Sequence, residues 1–102
     1  MKDLNQQEWK AATAAEETLV ILDVRTPGEV EQGIIPGAKV SDIFQQEEFV
    51  KTLEAMDKDV PTYVYCRSGG RSAKACELMD AMGFKETYNL VGGFSEWTGE
   101  VA

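Results

Sequence analysis

Short apolar runs alternate along the chain with longer amphipathic stretches, and each change of period marks a new element. Trp9, Ala12 and Ala15 recur at helical spacing behind Asn5, and Glu8 completes a capping-box pattern, which predicts a first helix over residues 5–16. Thr18-Leu19-Val20-Ile21-Leu22 is short, β-branched and continuous up to Asp23-Val24-Arg25, as expected of a core strand covered on both faces. Thr26, a cap-type residue, precedes Pro27, Gly28 and Glu29, so a short helical turn should follow. Gly33-Ile34-Ile35-Pro36-Gly37 reads as a loop leading to a short strand near residues 38–40. Ile43, Phe44, Phe49, Val50, Leu53 and Met56 are spaced for one or two amphipathic helices within residues 41–56.

Pro61-Thr62-Tyr63-Val64-Tyr65-Cys66 predicts a second core strand that runs straight into a glycine-rich turn. The next helix, over residues 70–82, places Ala75, Cys76, Leu78, Met79 and Met82 on one side and Lys74, Glu77 and Asp80 on the other, with Gly83 as its C-cap. A strand over 86–91, a Gly92-Gly93 turn and a short closing helix over 94–98 complete the pattern. Strands alternating with helices predict an α/β fold with a mainly parallel sheet flanked by helices on both faces. No repeat, linker or low-complexity tract interrupts residues 1–102, so one domain is expected.

Composition narrows the function classes. Eighteen acidic against ten basic residues give a net charge of -8, which repels nucleic acid and anionic membranes and is otherwise a solubility feature. No apolar run approaches the roughly 20 residues of a membrane span. The first eight residues have no apolar core of a secretory signal, so a cytoplasmic protein is expected. Two cysteines do not form a disulfide framework. Histidine is absent, which excludes Ser-His-Asp and Cys-His hydrolases, histidine zinc sites and histidine acid–base catalysis.

The chemistry left to the chain converges on Cys66-Arg67-Ser68-Gly69-Gly70-Arg71-Ser72. In an open parallel sheet, ligands bind beyond the carboxyl ends of the strands, which is where Cys66 is delivered. Gly69 and Gly70 can adopt backbone angles closed to other residues, letting several N–H groups converge on the sulfur. Those N–H groups, the positive end of the following helix and the guanidinium groups of Arg67 and Arg71 favour a thiolate or persulfide anion without a histidine base.

Four ordered segments carry a family resemblance: residues 22–29, 33–38, 65–72 and 92–97, reading LDVRTPGE, GIIPGA, YCRSGGRS and GGFSEW. Together they are similar to a rhodanese homology domain. The resemblance implies a five-stranded sheet and a sulfurtransferase that moves sulfane sulfur through a persulfide on Cys66, with thiosulfate to cyanide as the assay reaction. It also implies a small-molecule sulfur donor and acceptor, with a partner sulfur-carrier protein as a further candidate and no cofactor beyond the covalent persulfide. Oligomeric state is not specified. Where family members often carry histidine, this chain has Ile34 in a structural turn.

Each residue also has a plainer reading. Arg71 fits an anionic donor or a salt bridge, and Arg67 and Ser68 could serve through their N–H groups alone. Asp23 and Arg25 reach the same end of the sheet, where Arg25 bracing the loop by pairing with Asp23 or Glu29 is favoured over substrate contact. Cys76 lies about 7–9 Å along the helix from its start and on the apolar side, so packing is favoured over a resolving thiol. Trp97 reads as an anchor of the closing segment. The rival functions are a non-catalytic rhodanese-like binding or sulfur-carrier module and a cysteine-loop phosphatase or arsenate reductase. Phosphatase loops place five residues between Cys and Arg, whereas four separate Cys66 from Arg71, a narrower ring that suits sulfur better than phosphate.

Overall fold

The four residues Thr62–Tyr65 are all buried, and the rest of the chain is arranged around them. The computed structural model describes residues 1–102. In chain order the elements are β1 (Lys2–Leu4), α1 (Gln6–Ala15), β2 (Val20–Asp23), α2 (Pro27–Val30), β3 (Lys39–Val40), α3 (Gln46–Ala55), β4 (Thr62–Tyr65), α4 (Gly70–Ala81), β5 (Thr87–Leu90) and a 3-10 turn at Phe94–Glu96. The five strands form one sheet in the order β1-β5-β4-β2-β3, and every pair is parallel.

Alternation along β4 divides the core in two. Val64 and Cys66 face the layer of α3 and α4, packing with Leu22, Phe49, Leu53 and Met79. Tyr63 and Tyr65 face the α1 side with Leu4, Trp9, Ile35 and Leu90. Successive strand side chains point to opposite faces, so consecutive residues serve the two layers. Burial on both sides explains why β4 reads as an unbroken apolar run.

The expected fold class holds, as do the local start signals. Asn5 accepts from the Glu8 N–H while its own N–H donates to the Glu8 carboxylate, both at 2.9 Å, and Thr26 and Glu29 build a second capping box around Pro27. Four details differ from the expectations. The edge strand β1 has no counterpart among the predicted elements. Phe44, counted among the apolar helical positions of residues 41–56, lies outside the one helix formed there and is 64% exposed. Leu78, assigned to the apolar side of its helix, is 39% exposed, because the buried stripe runs through Ser72, Ala75, Cys76 and Met79. The helix caps on Met82, with Gly83 one residue beyond. No helix is long and apolar enough to cross a membrane.

Candidate active site

Strand β4 ends at Tyr65, and the chain turns through residues 66–69 into α4, leaving the Cys66 sulfur below the helix N-terminus. The turn depends on Gly69, whose φ of +107° is open to glycine and strained for other residues. In that conformation its N–H donates to Cys66 Sγ at 3.1 Å. Gly70 does not use the freedom expected of it: it has no positive φ and opens the helix. Ser72, in the first turn of α4, is fully buried and its hydroxyl lies 3.3 Å from Sγ.

Burial alone would raise the Cys66 thiol pKa. The Ser72 hydroxyl and the backbone N–H groups of Ser72, Gly69 and Ser68 outweigh that cost and hold it below the ordinary thiol value. Cys66 is therefore set to ionise more readily than a free cysteine. Cys76 is the contrast: buried in the same layer with Leu22 and Met79, it is pushed up to about 12 by desolvation.

The two loop arginines part company. Arg71 is engaged by Glu29, with two 2.8 Å hydrogen bonds from its guanidinium to the two carboxylate oxygens. Those bonds hold Glu29 down at about 2 and raise Arg71. Arg67 is exposed and enters no ion pair. It lines a cleft of about 390 Å³ together with Arg25, Glu29, Gln32, Phe94 and Ser95. The Ser68 side chain is also at the surface, while its N–H serves the sulfur.

Asp23 and Arg25 come to the same end of the sheet but on the Tyr65 side. Asp23 stands in register with Tyr65 and accepts from its hydroxyl at 2.7 Å. Burial raises the Tyr65 phenol, which keeps that proton in place. Arg25 donates to Asp23 at 2.8 Å and to the Gly33 carbonyl at 2.7 Å, and its guanidinium lies 4.3 Å from the Phe94 ring centre. The pair braces residues 25–33 and the closing turn. Ile34 exchanges backbone hydrogen bonds with Ala102.

Three residues outside the expected set support the loop. The first is Glu29, through Arg71. Gly93 lets the closing turn press against the loop: the Phe94 and Ser95 N–H groups donate to the Cys66 and Arg67 carbonyls, both at 2.9 Å. A β-carbon at Gly93, whose φ is +57°, would fall 2.5 Å from the Arg67 carbonyl. Asn89 of β5 is the third, buried beside Ser72 with its Nδ2 donating to Asp3 at 3.0 Å and to the Gly69 carbonyl at 3.3 Å. Of these, Gly93 had a local signal in its glycine pair. Glu29 and Asn89 meet their partners only through the fold.

Known proteins resemble this chain in sequence and in fold. The Rhodanese-like domain family matches residues 5–100. A putative sulfurtransferase, YtwF of Bacillus subtilis, is 37% identical over 103 residues, covering 98% of this chain and 93% of its own length. The thiosulfate sulfurtransferase GlpE of Pseudomonas putida is 33% identical over 81 residues, covering 79% of this chain and 71% of its own. Among solved structures, a rhodanese-like domain protein from Staphylococcus aureus superposes with a TM-score of 0.86 at 31% identity, covering 100% of this chain and 97% of that one.

Proposed function

The chain belongs to the rhodanese-like family, and from that premise we propose that it is a thiosulfate sulfurtransferase-like enzyme working through a persulfide on Cys66. The observation that carries the proposal is the ring of donors around one sulfur: Gly69 N–H at 3.1 Å and Ser72 Oγ at 3.3 Å, at the N-terminus of α4. Such a ring stabilises an anion on sulfur.

In the first half-reaction the Cys66 thiolate attacks the outer sulfur of thiosulfate or a persulfide-type donor. The donor's S–S bond breaks, and sulfite or a thiolate leaves with the electron pair. In the second, a thiophilic acceptor attacks the outer sulfur of the Cys66 persulfide and Cys66 departs as thiolate. No proton transfer is needed in either displacement, in keeping with a chain that has no histidine. The bound sulfur is carried on Cys66 itself, without a further cofactor. Cys66 is only 1% exposed, which favours a small terminal atom as the group transferred. The acceptor is a small thiophile or a thiolate of a partner sulfur-carrier protein.

Intact-mass spectrometry after thiosulfate treatment should show the gain of one sulfur atom, removed by dithiothreitol and abolished by Cys66→Ser. The same variant should lose thiosulfate:cyanide transfer. An unmodified mass without thiocyanate formation overturns the enzyme reading in favour of a binding module. Phosphate-ester hydrolysis without sulfur transfer overturns it in favour of a phosphatase.

A further inference from the structure

Ser72 has one hydroxyl proton and two acceptors within reach, Cys66 Sγ at 3.3 Å and Asn89 Oδ1. A hydroxyl can donate to only one of them at a time. The Asn89 amide is held in one orientation, because its Nδ2 donates to Asp3 Oδ1 at 3.0 Å and to the Gly69 carbonyl at 3.3 Å, leaving Oδ1 turned to Ser72. Asn89 is 4% exposed and Ser72 fully buried, so a bond lost within this pair is not replaced freely by bulk water.

We propose that Asn89 is a positioning residue that competes with the Cys66 sulfur for the proton of Ser72 and thereby limits how strongly the sulfur anion is stabilised. In the thiol state Ser72 donates to Asn89. When Cys66 ionises, or carries an anionic persulfide, the hydroxyl turns to sulfur and leaves Asn89 Oδ1 without its donor. The competition keeps the sulfur reactive: an anion held too firmly is a weaker nucleophile, since nucleophilicity falls with pKa. The charged groups that bear on this network are Asp3 on β1, which holds Asn89, and Arg71 on α4, whose charge is shared with Glu29 from α2. Asn89 also touches the loop through Gly69, so a purely structural role has a route of its own that the test must separate.

This inference rests on the sulfur-transfer reading for its purpose, but it is tested on the resting protein without a sulfur donor. The readout is the Cys66 pKa, followed by ultraviolet thiolate absorbance below the range in which Cys76 ionises. Asn89→Val removes the competing acceptor, and the Cys66 pKa should fall by about one unit, a tenfold shift in the thiolate equilibrium. Asn89→Asp offers Ser72 a stronger, charged acceptor and should raise it. In a Ser72→Ala background Asn89→Val should produce no fall. Should the valine variant fail to fold, Asn89→Ala runs the same cycle.

A rise or no change with Asn89→Val, or a fall that persists without Ser72, overturns the competition. The first result assigns Asn89 to holding the Gly69 peptide alone. Neither result bears on whether Cys66 accepts sulfur, and loss of sulfur transfer in Cys66→Ser does not bear on the pKa cycle.

Discussion

Arg67 and Arg71 are four residues apart and carry the same charge, yet their surroundings give them different work. Arg71 is neutralised by Glu29, whereas Arg67 stands unpaired at the cleft and, on the proposed function, is the better placed to meet an anionic donor. Arg67→Ala is expected to raise KM for thiosulfate by about fivefold while leaving kcat nearly unchanged, the size of one exposed charge contact of about 1 kcal/mol. Steady-state kinetics over a range of thiosulfate concentrations checks this.

Glu29 makes a pH prediction of known sign. Its folded pKa of about 2 lies below the ordinary glutamate value, so its stabilisation is complete above the unfolded pKa and is lost as pH falls toward 2. With both partners about a quarter exposed, solvent screening reduces the contribution to about 1 kcal/mol. Urea unfolding from pH 7 down to the acid limb should show wild type losing this amount, while Glu29→Gln starts lower and lacks that loss. Cys66 was legible at this scale because its signal is contiguous: Cys, two Gly and two Arg within six residues. Glu29 and Arg71 lie 42 positions apart and Ser72 and Asn89 lie 17 apart, so nothing local announces either pair.

Elements were readable where a side chain near the end closes a local hydrogen-bond circuit. Asn5 with Glu8 and Thr26 with Glu29 are circuits three residues long, and both helices begin where those residues stand. Strand β1 was not readable. Only Leu4 of its three residues is buried, and its strand character comes from pairing with Tyr88, Asn89 and Leu90 at the far end of the chain. Leu78 and Phe44 fit an apolar stripe by spacing, but the packing directions of α4 and of the loop before α3 leave both exposed. The closing 3-10 turn supplies the element-scale prediction. Gly93→Ala places a methyl group against the Arg67 carbonyl at a positive φ, so it should destabilise the fold by about 1–3 kcal/mol. It should also reduce sulfur transfer by more than the stability loss explains, because the carbonyls it displaces belong to the cysteine loop. Thermal unfolding together with turnover at a temperature where the variant is fully folded separates the two effects.

For the molecule as a whole, the decisive quantity is the net charge of -8 around a small positively polarised site. Long-range repulsion opposes an anionic donor, and salt screens interactions beyond a Debye length of about 10 Å at 0.1 M while affecting contacts at the loop much less. kcat/KM for thiosulfate should therefore rise as ionic strength increases from low values toward about 0.1 M. A fall would mean that the Arg67 side of the cleft governs approach. Fold class was legible at this scale because strands and helices alternate along the chain. The layout of the sheet was not, since the order β1-β5-β4-β2-β3 joins neighbours by contacts spanning nearly the full length.

That layout has a consequence for the order in which the molecule can be completed during synthesis. The strand leading into Cys66 lies between β2 and β5, the loop after it is fastened by Phe94 and Ser95, and β1 waits for β5. A chain growing from its N-terminus will have made Cys66 well before it has made the residues that hold it in place. Parallel pairings between distant segments also form slowly. The sulfur pocket is thus among the last parts of the protein to mature, and the newly made thiol passes through an unguarded interval that ends only when the final strand and turn arrive.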